Sequence, residues 1–331
     1  MFTVSIVVPA YNAASTLKKT IGDIQAQTYR DYELIIVDDG STDDTPSISD
    51  EIMALDARVR VIHQENHGMS IARNIGTLAA KGSHVIYFDS DDRIEPCCLA
   101  YLVKALRESG ADIACGLVDR VREDYELNGA TAAFEYEVFD QNDAMSEMLT
   151  GRKLMVGTWC RLVPRAWMLE QPFLENKYYE DLSNTYRVNL MAEKVALVNC
   201  VLYHYVMRGG SITGRRQTTR KQCLDYYEAV NLCVDGTLAV YPELERDAAV
   251  LKMRDFMSLY LSIHRCTERD VQLDEIERRI CEWMKKNWQH ASSNAKAPRN
   301  VRLRSLLFGL SPWLYEKLYY IGIRVKGKAI S

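Results

Sequence analysis

With 331 residues, 47% hydrophobic and 26% charged, the chain exceeds one typical domain and has the composition of an ordinary globular protein, which excludes a disordered or low-complexity chain. Its formal net charge of -4 is unevenly spread, because residues 291–331 hold eight Lys or Arg against the single Glu316, a local +7 that leaves about -11 (-4 minus 7) elsewhere. The acidic body excludes nucleic acid as a partner, and the basic tail faces a different one.

In chain order, Val4 to Val8 reads as a strand, and Ser15 or Thr16 can cap a helix whose apolar face carries Leu17, Ile21 and Ile24. Leu34 to Val37 is a second strand, and Ser41-Thr42 followed by acids and Pro46 starts the next helix. Val59 to Ile62, Val85 to Phe88 and Ile113 to Cys115 give further strands, separated by a helix over Met69 to Ala80 and another starting at Glu95-Pro96. This alternation predicts a mainly parallel sheet with helices on both faces. Beyond Gly116 the pattern loosens: a helix spans Ala144 to Leu149, and two strands, Val195 to Val198 and Val201 to Tyr205, flank Asn199-Cys200. A glycine-rich basic segment runs from Arg208 to Lys221 and includes Arg215, Arg216 and Arg220 without an acid. Helical periodicity holds from Lys221 to Gln289, and a polar linker from His290 to Asn300 precedes the basic tail.

Nine cysteines (Cys97, Cys98, Cys115, Cys160, Cys200, Cys223, Cys233, Cys266 and Cys281) show no repeated C-x-x-C spacing or zinc pattern with histidine, and read as reduced thiols of a cytoplasmic protein. Met1-Phe2-Thr3 enters the first strand without a basic leader, which points away from secretion. Leu306 to Ile323 is interrupted by Pro312, Glu316 and Lys317, so no spanning helix is expected there.

Two apolar strands end abruptly in acid, at Asp38-Asp39-Gly40-Ser41 and at Asp89-Ser90-Asp91-Asp92. Ligands of open α/β sheets sit beyond the carboxyl ends of the strands, and carboxylates this close repel unless a cation or a hydrogen-bonded ligand compensates them. Extended alternation would put Asp89 and Asp91 on one side, where both reach Mg²⁺ or Mn²⁺ bridging a diphosphate. Most isolated D-x-D triplets are turns or helix caps; the second acidic strand end upstream favours the metal site. Asp38 and Asp39 suit a base imide or a ribose hydroxyl, and capping by Ser41, Thr42 or Asp43 can hold at the same time. Pro9-Ala10-Tyr11-Asn12 lacks both the G-x-G-x-x-G of a dinucleotide site and the Gly-rich basic loop of a nucleotidyltransferase. Trp159, beside Arg161 and ahead of Trp167, can stack on a sugar or pack in the core. His204, within an apolar strand, reads as structural and stays outside the metal set.

Taken together, Val4 to Asn12, Gln27-Thr28-Tyr29, Val37 to Asp43, Glu65-Asn66-His67-Gly68, Ala72-Arg73-Asn74 and Phe88 to Asp92 resemble the family 2 inverting glycosyltransferases of GT-A fold. The resemblance is continuous over about residues 1–118 and resumes at Tyr179-Glu180-Asp181 and Tyr203 to Thr213. It implies an α/β, GT-A-type (Rossmann-like), mostly parallel sheet flanked by helices, with a helical C-terminal extension. The domains would be 1–215, catalytic, with a nucleotide-binding half (1–118) and an acceptor and catalytic-base half (119–215), and 216–331, helical with a basic amphipathic tail.

Carried onto matching positions, the resemblance implies that Pro9, Tyr11 and Asp39 hold the nucleoside and that Asn66 and Arg73 hold ribose, base or phosphates. Asp91 would be the principal metal ligand for Mn²⁺ or Mg²⁺, Asp89 would lie against the ribose, the sugar or the metal shell, and Ser90 and Arg208 would join the donor side. Glu180-Asp181 matches the acidic pair that supplies the general base, with Asp181 the choice. Trp159 and Arg161 stand for the acceptor. The implied reaction moves a sugar from a nucleotide donor, a UDP-hexose or UDP-N-acetylhexosamine, to a glycan or lipid-linked oligosaccharide in bacterial cell-surface polysaccharide synthesis. The alternative is a non-catalytic nucleotide-sugar-binding or assembly protein of the same fold. Residues 301–328 interleave basic, aromatic and apolar side chains, which suits an anionic surface on the inner face of the cell membrane or packing on the chain itself or on a second copy in a homo-oligomer.

Overall fold

A computed structural model describes residues 4–127, 133–208 and 217–319. The chain forms two compact units: Met1–Ala144 with Val156–Gly214, and Met145–Met155 with Arg215–Ser331. The basic positions Arg215 and Arg216, with the glycine-rich stretch before them, and the tail from Tyr320 onward lie outside the described residues.

In the first unit the chain runs β1 (Val4–Ala10), α1 (Leu17–Gln25), β2 (Tyr32–Asp39), α2 (Thr45–Leu55), β3 (Val59–Gln64), α3 (Met69–Ala79) and β4 (His84–Tyr87). These four strands pair in parallel in the order β3-β2-β1-β4. Their apolar runs are continuous because both faces are covered. Leu17, Ile21 and Ile24 of α1 join Ile6, Val8, Leu34 and Ile36 in one core, while Ala72 of α3 meets Ile35 and Val37 on the other face. Gly76 lets α3 approach the sheet: a Cβ there would stand 2.4 Å from a methyl of Val7.

The chain continues through β5 (Arg93–Ile94), α4 (Cys98–Ser109), β6 (Ile113–Arg122), β7 (Tyr136–Asp140), α5 (Gln141–Thr150), β8 (Arg161–Pro164), α6 (Arg165–Glu170), α7 (Glu180–Asn189) and β9 (Lys194–Met207). The full order is β3-β2-β1-β4-β8-β6-β9-β5, with β7 on β9. The sheet is therefore mixed beyond β4, since β8 pairs antiparallel with β4 and β6 while β6 and β9 run parallel. The two strands expected around Asn199-Cys200 are one: a register shift beside Gly116 and Leu117 absorbs the extra residues, and the Asn199 amide donates to the Glu135 carbonyl at 2.8 Å.

The second unit is helical, with α8 (Arg220–Val240), α9 (Glu245–His264), α10 (Val271–Ser293), α11 (Arg299–Leu310) and a further helical stretch over residues 312–319. Thr219 and Gln222 close a capping box on α8, and the Asp270 carboxylate caps α10 through the Leu273 amide. The expected polar linker is shorter than 290–300, because α10 runs on to Ser293 and Asn294 is buried, donating to Asp247 at 2.7 Å. His264 bridges Glu277 and Glu316, each at 2.9 Å, and ties residues 312–319 to α9 and α10. Among the described residues no helix is long and apolar enough to cross a membrane.

Candidate active site

The carboxyl ends of β1, β2 and β4 converge, and the loops after them are stitched together. The Asn12 side-chain oxygen accepts from the Thr42 amide at 2.8 Å, and the Ala13 amide donates to the Thr45 hydroxyl at 2.8 Å. Pro9 is buried within β1, whereas Tyr11, two residues on, is 52% exposed and presents an aromatic ring at the strand end. Gly40 adopts φ +71° and packs against the Asn66 backbone, where a Cβ would stand 2.6 Å from the amide nitrogen. Asn66 itself is exposed.

Asp38 and Asp39 behave differently from one another. Asp38 accepts from the Ser41 amide at 3.1 Å and pairs with His63 at 2.9 Å, so it closes the turn. Asp39 is buried and takes three protein hydrogen bonds, from Gln64 Nε2 at 2.6 Å, the His67 amide at 2.9 Å and the Gly68 amide at 2.8 Å. A ligand imide would therefore share Asp39 with these donors, and the carboxylate also anchors the start of α3. Gln64 and His63 were not flagged by the sequence, because their roles depend on the β2–β3 register that sets Asp38 opposite His63 and Asp39 opposite Gln64.

The segment Asp89 to Asp92 is a turn, not the extended alternation expected, with the Asp92 amide donating to the Asp89 carbonyl at 3.4 Å. Its carboxylates consequently diverge. Asp89 goes to Arg73 at 2.9 Å, Asp91 to Arg208 at 2.7 Å, and Asp92 inward, accepting from the Tyr203 hydroxyl at 2.6 Å and the Val206 amide at 2.8 Å. Ser90 is half-buried at the tip. Burial, then the neighbouring Asp89, holds the Asp91 carboxyl above its usual range against the pull of Arg208. Burial, then Asp89 and Asp91, pushes Asp92 up to about 8. Asp89 and Asp91 are hard-oxygen donors of the kind a divalent cation takes, each paired here with one arginine. Among the described residues no three His, Cys, Asp or Glu side chains form a metal-holding set by themselves, so such an ion would complete its shell from donor phosphates and water, as Mg²⁺ sites commonly do.

Arg73, in the first turns of α3, is 1% exposed. Its Nη1 donates to Glu180 at 2.7 Å and lies 3.6 Å from Asp181, while Nη2 donates to Asp89. The guanidinium also lies over the Phe173 ring, 5.4 Å from its centroid. It is thus enclosed by carboxylates and an aromatic floor. Removing one partner from so buried a set typically costs about 3–5 kcal/mol.

Glu180 and Asp181 open α7, behind Tyr179 in the left-handed region at φ 61°. Asp181 accepts from the Thr158 hydroxyl and remains 26% exposed at its side chain. Burial, then repulsion from Glu180, pushes its carboxyl up to about 7, with Arg73 and Thr158 opposing. Nothing in the sequence marks Thr158, which is brought to Asp181 only by the fold.

Two acceptor expectations fall differently. Trp159 stacks on Tyr203, with centroids 5.9 Å apart and planes 15° apart, and is packed against the core. Arg161 is buried and bonded to Asn189. His204 is held by Asp119 at 2.6 Å and Glu95 at 2.9 Å. Of the basic segment, Arg208 reaches Asp91, whereas Arg220 pairs with Asp270 and Lys221 with Asp225 in the helical unit.

A family model described as glycosyl transferase family 2 matches residues 5–168. Glycosyltransferase GlyG of Streptococcus pneumoniae is 32% identical over 223 residues, covering 63% of this chain and 72% of that protein. Cholesterol galactosyltransferase of Borreliella burgdorferi is 30% identical over 239 residues, covering 67% of this chain and 65% of that protein. Among solved structures, S. aureus TarS 1-349 in complex with UDP-GlcNAc superposes with a TM-score of 0.67 at 17% identity, covering 97% of this chain and 92% of that one. At that identity the superposition speaks for the fold, while the family model and GlyG speak for the lineage. By fold, motif and relatives, the chain belongs to glycosyltransferase family 2 and is a glycosyltransferase.

Proposed function

We propose that this glycosyltransferase moves a sugar from a UDP-sugar, a UDP-hexose or UDP-N-acetylhexosamine, to a hydroxyl of a glycan or lipid-linked acceptor, with inversion at the anomeric carbon. The observation that carries the reading is the linkage of Asp89, at the donor end of β4, to the Glu180-Asp181 pair through one buried arginine. Binding of UDP-GlcNAc by the TarS structure and the galactosyl transfer named for the Borreliella relative support the donor class.

In this reading residues 1–118 hold the nucleotide and 119–215 the acceptor and base. Tyr11 offers its exposed ring to the base, the strand end at Pro9 and the loop carrying Asp39 and Asn66 shape the nucleoside site, and Ser90 faces the donor. Asp91, with Asp89 beside it, would hold Mn²⁺ or Mg²⁺, which when bound neutralises charge on the leaving diphosphate. Arg208, already on Asp91, would share that task. Asp181 accepts the proton of the acceptor hydroxyl as the oxygen bonds to the anomeric carbon and the bond to the diphosphate breaks. The outer apolar and basic face of the last helices would bring this chemistry to an anionic membrane surface.

A thermal-shift screen with UDP-Glc, UDP-Gal, UDP-GlcNAc, UDP-GalNAc and GDP-Man, with and without Mn²⁺, tests the donor. We expect stabilisation by one or more UDP-sugars that increases with metal. No stabilisation by any of them would overturn the reading.

A further inference from the structure

We propose that Arg73 is a positioning residue that fixes the general-base pair relative to the donor carboxylate; this deepens the transferase reading above and rests on it. The geometry is that of a fork with both tines used: one terminal nitrogen holds Asp89 at 2.9 Å and the other holds Glu180 at 2.7 Å, with Asp181 at 3.6 Å. Only a planar guanidinium reaches two carboxylates at fixed mutual angle, and a lysine ammonium in the same place is a single point charge.

The fork is itself held from beneath. The Phe173 ring lies under the guanidinium and packs edge-on against Tyr87, with centroids 5.2 Å apart. Asn74, the next residue of α3, grips the Phe173 backbone twice, donating to its carbonyl at 2.9 Å and accepting from its amide at 3.0 Å. Asn74 thus supports Arg73 through an aromatic floor, by way of the Phe173 backbone. The adjacency of Ala72-Arg73-Asn74 acquires a mechanical sense: one residue makes the fork and the next fixes the surface on which it rests. Direct displacement needs the base on the side opposite the leaving group, and a misplacement of about 1 Å can cost about 100-fold in rate.

The test is steady-state kinetics of the full chain with the preferred UDP-sugar, paired with calorimetric binding of that donor, for wild type, Arg73→Lys and Asn74→Ala. We expect Arg73→Lys to lower kcat about 100-fold and Asn74→Ala about 10-fold, each with donor affinity within about 3-fold of wild type. If Arg73→Lys instead weakens donor binding by the factor it takes from kcat/KM and leaves kcat intact, Arg73 is a donor clamp and the inference is wrong. Should Arg73→Lys fail to fold, Asn74→Ala decides: unchanged kcat overturns the inference. A wild type that binds donor but turns none over removes the transferase reading together with this inference, whereas an active wild type with unaffected variants removes this inference alone.

Discussion

A general base must be ionised when the acceptor hydroxyl arrives, and the surroundings of Asp181 delay that ionisation. Burial and the like charge of Glu180 push its carboxyl up to about 7. The carboxylate form is scarce below that pH, so kcat/KM should rise about tenfold per pH unit on the acid side and level off above about 7. In Glu180→Gln, with the like charge removed, the inflection should move to lower pH; an unmoved inflection would assign the titration to another group. Asp181→Asn, which keeps the shape but cannot take a proton, should bind donor within about 3-fold of wild type and lose transfer by about 10²–10⁴-fold. Near-normal turnover would remove Asp181 from the mechanism. At this scale the sequence was a partial guide. Asp39, Asp91 and Asp181 could be singled out as candidates because each follows a strand or starts a helix within a recognisable string of neighbours. Thr158 and Phe173 could not, since each meets its partner across a long sequence separation. Arg73 was legible as important but not in its orientation: its place near a helix start suggested phosphate, while burial against Asp89 and Glu180 turns it inward.

Between elements, the donor end of the sheet depends on a backbone contact that a methyl group would break. Gly40 joins β2 to the segment before α2 at φ +71°, and a Cβ there would meet the Asn66 backbone at 2.6 Å. Backbone cannot move aside as a flexible side chain does, so Gly40→Ala combines left-handed strain of about 1–2 kcal/mol with a displaced β3–α3 connection. We expect a loss of about 2–3 kcal/mol in chemical denaturation, with UDP binding at least about 10-fold weaker; unchanged binding would detach this loop from the donor site. The strands β1 to β4 were legible because fully covered parallel strands are uninterrupted apolar runs. The rest of the sheet was less so. β5 has only two residues, β8 opens on Arg161 and closes on Pro164 and so lacks the apolar run that marks the equally short β4, and β9 carries a bulge whose polar Asn199 imitates a turn. The acidic turn after β4 was misread as extended for a related reason: pairing in parallel with β1 stops at Tyr87, and no ladder holds Asp89 to Asp92 straight.

Among the described residues, exposed apolar side chains gather with basic ones on the last helices, and that surface carries the last prediction. The helical unit satisfies the inner face of its final helices: Phe308 packs edge-on against Tyr260, Tyr315 lies beside Phe308, and Glu316 is held by His264. What remains outside is apolar and basic, with Leu303, Leu306, Leu310, Trp313 and Leu318 exposed among Arg299, Arg302 and Lys317. On an anionic surface three such cations contribute about 3 kcal/mol, at about 1 kcal/mol each, and the exposed rings and leucines add apolar burial. The chain should therefore float with vesicles rich in anionic lipid, bind neutral vesicles about 100-fold less tightly, and be released by salt. Leu306→Glu combined with Trp313→Glu replaces exposed side chains, so it should abolish flotation without lowering the melting temperature or turnover on a water-soluble acceptor. If the double variant floats as well as wild type, this face is not the membrane contact. If instead it changes the sedimentation of the free chain while vesicle binding stays constant, the face belongs to a second copy. The His264 tie adds a pH dependence to that surface. Its hydrogen bonds to Glu277 and Glu316 raise the imidazole above its ordinary value, so the charged tie is complete below about 6.5 and is lost as pH rises through the raised value. Vesicle binding that weakens over that window in wild type but not in His264→Gln would show that the tie presents the helix to the membrane, while parallel curves would leave the apolar face sufficient by itself.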